Sequence, residues 1–445
     1  MTMDVATTEL KTAIRGTVRR LNFYNGRLLT AEDLGAEQAT CEAERHQLAR
    51  ILGEGVATGL EVAEHRDSTV AKPVVTVAPG LAVTPSGKIV ELTQAVDLQL
   101  LRSTATDGAE GGGLFADCMP AADRSYSAGR AVYLLTVAPA TFEEGAAPAT
   151  AGSTARCGPE YSVESVRFRL VWIGLLNVEL LDGARLRNRI AHRMFGTDAD
   201  AVERFRVDPR VLPTLDYGLL ADLRASCLTP DEVPLATIGW RTPAAEDPLA
   251  LRDPGIQFVD VWSARRPLAP DEARHRYPLL SGRRRRIEAE AAFLQFTDEI
   301  EDLYAAAVAG RVDLATTTAA SRFLYLPAVG IVPLLRRARR ARSIGVDPAT
   351  FFGPQALPEG AALDADLVAA LVHEGTYHDP IRVGSDERIQ LYVVWENYTA
   401  RDRYSDTGRV PDPVVVFAKA TIPYRGTARF DHAQWSQSRF ARVPL

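Results

Sequence analysis

The sequence predicts a multi-domain α+β protein rich in β structure, in which antiparallel β modules are combined with one N-terminal helix and one long central helix. Three observations support this. The 445 residues are 46% hydrophobic and 24% charged, as in an ordinary globular chain, and the length corresponds to about three domains. Short alternating apolar and polar segments recur between turns that contain glycine or proline. Residues 31–52 and 283–309 carry long apolar stripes at helical spacing.

The first helix is predicted to follow a tight turn at Asn25-Gly26, because both residues tolerate positive φ. Thr30 is a good N-cap, and acidic residues follow in the first turn, where the helix dipole favours negative charge. Gly53 and Gly55 end the helix. An apolar stripe at helical spacing consists of Leu34, Cys41, Leu48 and Leu52. We expect this stripe to cover the apolar surface of a sheet.

Residues 21–62 also carry a resemblance. The turn NFYNGRLL, the helix start AEDL with EQ after it, and the closing GLEV are similar to the N-terminal signature of a family of uncharacterised structural proteins found with phage-tail-like contractile injection systems. Residues 233–240 (VPLATIGW) and 255–268 (GIQFVDVWSARRPL) resemble the same family. The matching N-terminal residues are Asn22, Phe23, Tyr24, Gly26, Arg27, Leu28, Leu29, Ala31, Asp33, Leu34, Glu37, Gln38, Gly59, Leu60, Glu61 and Val62. The resemblance implies a structural role in such a particle and brings no enzymatic activity with it.

Alternation and turn residues predict the strands of the first two thirds of the chain. Residues 74–101 predict a β-meander, and residues 132–137 and 166–178 predict further strands of a half-buried sheet. Residues 235–240 and 256–262 are also typical of strands.

The strongest helix is predicted over residues 283–309. Apolar residues recur there at alternating spacings of four and three, namely Ala289, Phe293, Phe296, Ile300, Leu303 and Ala307. Such a seam favours a core-facing helix and is also what a helix between subunits would show, so both interpretations stay open.

The last part of the chain predicts a short helix at residues 364–374 and a long half-buried strand at 388–398 that pairs with 414–418. Residues 323–335 predict buried irregular structure. The predicted domains are 1–185, a helix plus a β-rich module; 186–345, a mixed module with the long helix; and 346–445, a module resembling a β-sandwich.

Composition argues against several classes of function. The four cysteines lie far apart without a CxxC pair, which favours free thiols in a reducing compartment over a zinc site. The formal net charge of −6 gives no field that recruits nucleic acid. No secretory signal and no apolar run of about 18 residues is present, so we expect no membrane insertion. We expect a cytoplasmic protein without cofactors, assembled into a particle that is released by lysis.

Three apparent motifs do not meet the requirements of their chemistry. His373 and His378 are five residues apart, whereas a zinc-protease helix needs histidines four apart. The glycines of residues 53–59 have the wrong spacing for dinucleotide binding and precede a strand. Residues 86–88 (SGK) lack the upstream glycine of a P-loop and are predicted to lie in a hairpin.

Four consecutive arginines open the long helix, at the end where the helix dipole disfavours positive charge. This arrangement predicts carboxylate partners, either in the same chain or on a neighbouring subunit. Nucleic acid is the weaker interpretation because no aromatic residues are interleaved with the arginines. The candidate subunit interface consists of Arg283, Arg284, Arg285, Arg286, Phe293 and Ile300.

Together these features predict a non-enzymatic structural component of a contractile, phage-tail-like particle, at the baseplate periphery or as a fibre or cap connector. Its partners would be other particle subunits and further copies of itself. An alternative is a carbohydrate- or surface-binding module, which requires a shared aromatic groove formed by Trp262, Trp395, Tyr398 and Trp435. A third reading is a hydrolase whose carboxylates are scattered through the sequence.

Overall fold

The computed structural model describes most of the chain. The described residues are 20–100, 130–145, 147–148, 157–158, 160–173, 183–197, 217–241, 255–268, 283–334, 345–357, 360–394, 414–422 and 442–443. They form an α+β fold rich in β structure, with antiparallel sheets and one mixed sheet. The fold class predicted from the sequence is therefore confirmed.

The first helix leads into two small antiparallel sheets. The elements are α1 (Ala31–Leu52), β1 (Gly55–Gly59), β2 (Val62–Glu64), β3 (Val74–Val77), β4 (Gly80–Val83), β5 (Ile89–Leu92) and β6 (Val96–Gln99). One sheet has the order β1-β4-β5 and the other β2-β3-β6, so the predicted meander is divided between two sheets. Strict alternation buries Val90 and Leu92 of β5 and exposes Ile89 and Glu91. The SGK turn lies between β4 and β5, as the sequence predicts.

A four-stranded antiparallel sheet follows, in the order β10-β7-β11-β12. The elements of this region are β7 (Arg130–Glu144), β8 (Ala147–Pro148), β9 (Cys157–Gly158), β10 (Tyr161–Ile173), α2 (Leu186–Phe195), α3 (Leu219–Ser226), β11 (Val233–Arg241) and β12 (Gly255–Asp260). One face of the sheet, which includes Leu135 and Trp240, shares a core with the two small sheets. The other face, which includes Leu134, packs on α2 and α3.

The remaining elements build a second, mixed sheet. They are α4 (Arg283–Val308), α5 (Ala319–Arg322), β13 (Tyr325–Leu326), β14 (Val329–Pro333), α6 (Pro348–Phe352), a 3-10 turn (Gly353–Gln355), β15 (Gly360–Leu363), α7 (Ala365–Gly375), β16 (Ile381–Arg382), β17 (Ile389–Val394), β18 (Val414–Lys419) and β19 (Arg442–Val443). The sheet has the order β14-β18-β17-β15-β19, and β13 pairs with β16. The predicted pairing of β17 with β18 is confirmed. Residues 323–335 contain two short buried strands rather than irregular structure alone.

The mixed sheet lies between two helices, because alternate residues of its central strands face opposite sides. Phe417 of β18 packs with Phe296 and Ile300 of α4, whereas Val416 packs on the side that holds Leu371 of α7. The expectation of a β-sandwich at the C-terminus is therefore wrong for the described residues. An alternating strand pattern is compatible both with a β-sandwich and with a sheet between helices. The element that packs on each face of the sheet comes from segments distant in sequence.

Both predicted domain boundaries fall between strands that share a sheet. Strand β7 pairs with β11, although the boundary at residue 185 separates them. Strand β14 pairs with β18 across the boundary at residue 345. These boundaries therefore do not divide the chain into separate sheets.

Candidate interaction surface

Helix α1 begins with a complete capping box, as its sequence indicates. Thr30 Oγ1 accepts a hydrogen bond from the backbone N–H of Asp33 at 3.2 Å, and the Asp33 carboxylate accepts one from the backbone N–H of Thr30 at 3.1 Å. The pKa of Asp33 is lowered, chiefly by this backbone N–H. The start of the helix is therefore fixed by local chemistry.

The face that α1 buries is not the one that its apolar stripe predicts. Leu34 is 55% exposed, Leu48 65% and Leu52 62%, and Cys41 is also exposed. The buried residues of the helix are Thr40 and Ala49. The prediction that the stripe covers a sheet is therefore wrong.

The polar face of α1 is the one that finds partners in the chain. Arg20 Nε donates to Glu44 at 3.0 Å, and Arg27 Nη2 donates to Asp33 at 2.7 Å, so the segment before the helix runs back along its polar face. Near the C-terminal end, the carbonyl of His46 lies against Gly87 in the β4–β5 turn. The helix is thus held by its polar side, and its apolar stripe faces outward.

We call residues 21–52 the signature segment. Among the described residues, eight of the thirteen exposed large hydrophobic side chains belong to it, although it is a small part of the chain. They are Phe23, Tyr24, Leu28, Leu29, Leu34, Leu48, Ile51 and Leu52. Single exposed apolar residues are normal, but a concentration of this kind marks an interaction site.

Two later segments that the sequence analysis singled out, residues 233–240 and 255–268, are accounted for by packing inside the chain. Residues 233–240 form most of β11, and every one of them is buried. In residues 255–268, Arg265 Nη2 donates to the carbonyl of Gly59 at 2.6 Å, and the backbone N–H of Val56 donates to the carbonyl of Arg266 at 2.8 Å. The exposed apolar residues of the signature segment have no such explanation.

A polar cluster joins α2, the end of β12 and α4. Arg187 Nη1 donates to Asp302 at 2.8 Å, and its Nε lies 3.7 Å from the buried Asp260. Burial raises the pKa of Glu299 to about 8, with Asp260 and Asp302 adding to the effect and Arg187 opposing it. The sequence analysis did not find this cluster, although Leu186, Ile190 and Met194 at four-residue spacing indicate the short helix α2.

A cleft of about 190 Å³ lies between the first turns of α4 and the turn that follows α7. It is lined by Phe195, Ala292 and Tyr377, together with Arg286, whose guanidinium lies 5.5 Å from the centre of the Tyr377 ring. Glu288, also in the lining, is 3% exposed and accepts a hydrogen bond from the Tyr217 hydroxyl at 3.0 Å. The lining therefore combines apolar side chains with charged groups of both signs, since Asp379 also belongs to it.

The predicted interface residues on α4 have different environments. Ile300 is 1% exposed and packs in the core beside the mixed sheet, so it does not lie on a free surface. Phe293 is half-buried, and Arg286 contributes to the cleft. The side chains of Arg283, Arg284 and Arg285 lie outside the described residues. Four residues of the apolar seam of α4 belong to the core beside the mixed sheet, namely Phe296, Ile300, Leu303 and Ala307.

The remaining motifs do not form a site in the described part of the chain. His378 Nε2 lies 3.7 Å from Glu374, and no three His, Cys, Asp or Glu side chains of the described residues are grouped to hold a metal ion. Trp262 is half-buried and its indole N–H donates to Asp298 at 2.5 Å. The other three aromatic residues of the predicted groove lie outside the described residues: Trp395, Tyr398 and Trp435.

No protein-family model matches the chain, and a search of curated proteins finds no similar sequence. Within the described ranges, no helix has the length and apolar character needed to cross a membrane. The described surface offers an exposed apolar helix, an aromatic cleft with an arginine, and a buried charged cluster. Of these, the exposed helix is the feature that packing within the chain leaves unexplained.

Proposed function

We propose that the chain is a non-enzymatic structural component of a contractile, phage-tail-like particle, at the baseplate periphery or as a fibre or cap connector. One observation carries this proposal. The apolar residues through which the N-terminus resembles the injection-system family, such as Phe23, Leu28 and Leu34, are exposed in the isolated chain.

Exposed leucines on a capped helix favour association. Burying one leucine side chain contributes about 1.5–3 kcal/mol, so covering Leu34, Leu48 and Leu52 in a neighbouring subunit would provide a substantial driving force. The capping box and the ion pairs on the polar face keep the helix ordered beforehand, which lowers the entropic cost of docking. The signature segment is thus suited to dock onto another subunit as a helix that is already ordered.

The test is the copy number and location of this protein in particles purified from its host. Leu34→Gln/Leu48→Gln should leave the monomer folded and reduce its occupancy in particles at least about tenfold. Val308→Gln is a matched control, because Val308 is a 56% exposed apolar residue on another helix. Absence of the wild-type protein from purified particles, or full occupancy of the double variant, would contradict the proposal.

A further inference from the structure

His192 lies where helix α2 meets strand β13. Its imidazole is 4.8 Å, centre to centre, from the ring of Tyr325 and 5.5 Å from the ring of Phe195, which it meets edge-on. The residue is only 2% exposed. The histidine is therefore part of the contact between a helix that packs on the four-stranded sheet and the strand that precedes the mixed sheet.

Only one of the two ring nitrogens of His192 has a hydrogen-bond partner in the described part of the chain. Nδ1 lies 2.9 Å from Thr197 Oγ1, whereas Nε2 is buried without a partner. Burial lowers the pKa of His192 to about 3, so the imidazole of the folded chain is neutral at neutral pH. A second proton would place a positive charge, and an N–H group without an acceptor, in apolar surroundings.

The charged groups on the elements around His192 do not supply a counter-charge. Arg189 and Arg193 lie on α2 itself, and Arg382 lies on β16, which pairs with β13. On α4, the buried Glu288 accepts a hydrogen bond from a tyrosine hydroxyl instead. Burial alone accounts for the lowered pKa of His192, so no nearby carboxylate among the described residues stabilises its charged form.

The hydrogen bonds of Asn188 hold the same contact together. Asn188 lies four residues before His192, on the same side of α2, and its amide is bonded to the backbone of Leu324 and Tyr325. A protonated imidazole must be hydrated, and hydration requires the ring of Tyr325 to move away from it. Because the backbone of Tyr325 is bonded to Asn188, this movement breaks the hydrogen bonds between α2 and β13.

We propose that the contact between α2 and β13 is an acid-sensitive junction, which opens when the His192 imidazole accepts a proton from solvent. The neutral ring fits the closed junction, whereas the protonated ring is stable only in the open junction, where water hydrates it. In the open state the pKa of His192 is the ordinary value of 6.5. The ratio of open to closed molecules therefore rises about tenfold for each pH unit below this value. The proposal does not depend on the assignment to a particle.

Glu299 has the opposite dependence on pH and must be removed from the measurement. Its raised pKa stabilises the folded chain as the pH falls from about 8 to 4.5, a range that overlaps the one in which His192 destabilises it. The two contributions therefore offset each other in the wild type. Glu299→Gln cannot ionise, so in this background the effect of His192 is not masked.

The first experiment follows the junction by hydrogen–deuterium exchange and mass spectrometry of the full chain. Peptides that contain Leu324 and Tyr325 report the two backbone N–H groups that donate to Asn188. In the Glu299→Gln background, their protection should fall about tenfold between pH 5.5 and pH 4.5, after correction for the intrinsic exchange rate. Protection that is independent of pH in this range overturns the proposal.

Variants without the titrating ring test whether His192 is the responsible group. His192→Phe keeps an aromatic ring, His192→Asn keeps a polar group, and neither side chain takes up a proton. Both variants should lose the tenfold fall in protection. His373→Phe is the matched control and should keep it, because His373 is exposed on α7. Circular dichroism confirms that each variant is folded. A fall that persists in both His192 variants, or that is also lost in the control, overturns the proposal.

A titration of the wild-type chain by NMR keeps the test independent of any substitution. The ring signals of His192 in closed molecules should remain those of a neutral imidazole down to pH 4.5, because protonation and opening occur together. An imidazole that becomes protonated near pH 6.5, while the N–H of Tyr325 stays protected from exchange, overturns the proposal.

Discussion

The side-chain amide of Asn188 is hydrogen-bonded on both sides to the backbone of Tyr325. Asn188 Nδ2 donates to the Tyr325 carbonyl at 3.1 Å, and Asn188 Oδ1 accepts from the Tyr325 N–H at 3.0 Å and from the Leu324 N–H at 2.8 Å. The amide thus pairs with the backbone of β13 as the backbone of a neighbouring strand would. Asn188 lies on α2, which packs on one face of the four-stranded sheet. These bonds therefore connect that helix and sheet to β13, which precedes the first strand of the mixed sheet.

Replacing Asn188 by leucine should strongly destabilise the protein. The side chain is fully buried, so Asn188→Leu would remove its three hydrogen bonds to the backbone of Leu324 and Tyr325. Each unsatisfied buried group costs about 1–3 kcal/mol, and the expected loss in the free energy of unfolding is about 3 kcal/mol or more. Urea unfolding measures it, with the exposed Glu290→Leu as control. A loss below about 1 kcal/mol would show that this bridge contributes little.

The pKa of Glu299 predicts a pH dependence of stability. Burial raises this pKa from 4.5 to about 8 in the folded chain. The folded state therefore holds a proton that the unfolded state releases, so the contribution of Glu299 is complete below about pH 4.5 and is lost as the pH rises to about 8. Glu299→Gln, which cannot ionise, should remove this loss and stabilise the protein at pH 9 by about 1 kcal/mol or more relative to wild type.

The measurement is the free energy of unfolding of both proteins at closely spaced pH values across this window. Glu301→Gln is a control because Glu301 lies on the exposed face of the same helix. Parallel stability curves for wild type and Glu299→Gln would contradict a raised pKa at this site.

The outward stripe of α1 predicts little effect on the stability of the monomer. Leu48→Gln should change the free energy of unfolding by less than about 0.5 kcal/mol, as expected for an exposed position. Ile300→Ala should cost about 2–5 kcal/mol, because Ile300 lies in the core beside the mixed sheet. Chemical denaturation compares the two. A large loss for Leu48→Gln would show that the stripe is packed within the monomer.

The case of α1 shows which properties could be predicted from the sequence. Its start follows from Thr30 and Asp33, because capping is a contact between residues three apart. Its buried face does not follow, because periodicity identifies an apolar stripe without saying what covers it. The helix contacts a segment distant in sequence, since the His46 carbonyl lies against Gly87 in the β4–β5 turn.

The candidate sites show the same limit. Arg286 could be singled out because a run of arginines at the start of a helix is unfavourable by itself. Its neighbour Tyr377 is 91 residues away in sequence, so the cleft could not be predicted. The extension of β7 beyond Val137 to Glu144 was equally hidden, since the sequence predicted a strand only over residues 132–137.

Gly26 and Gly59, two glycines near the N-terminus, form a matched pair for comparison. Gly59 has φ of +63°, and a Cβ there would lie 1.9 Å from the Pro79 carbonyl oxygen and 2.7 Å from the Gly80 Cα. Gly26 has φ of +89°, but a Cβ there would meet nothing within 4 Å. The two positions share the requirement for positive φ and differ in the space around them.

Gly59→Ala should therefore be much more damaging than Gly26→Ala. Positive φ alone costs an alanine roughly 1–2 kcal/mol, which is the loss expected at Gly26. At Gly59 the backbone of β4 must also move, because neither Pro79 nor Gly80 can rotate an offending atom away, and we expect a loss above about 3 kcal/mol. Thermal and urea unfolding of the two variants measure the difference. Equal losses would mean that the Gly59 turn relaxes easily and that its glycine is required for backbone conformation alone.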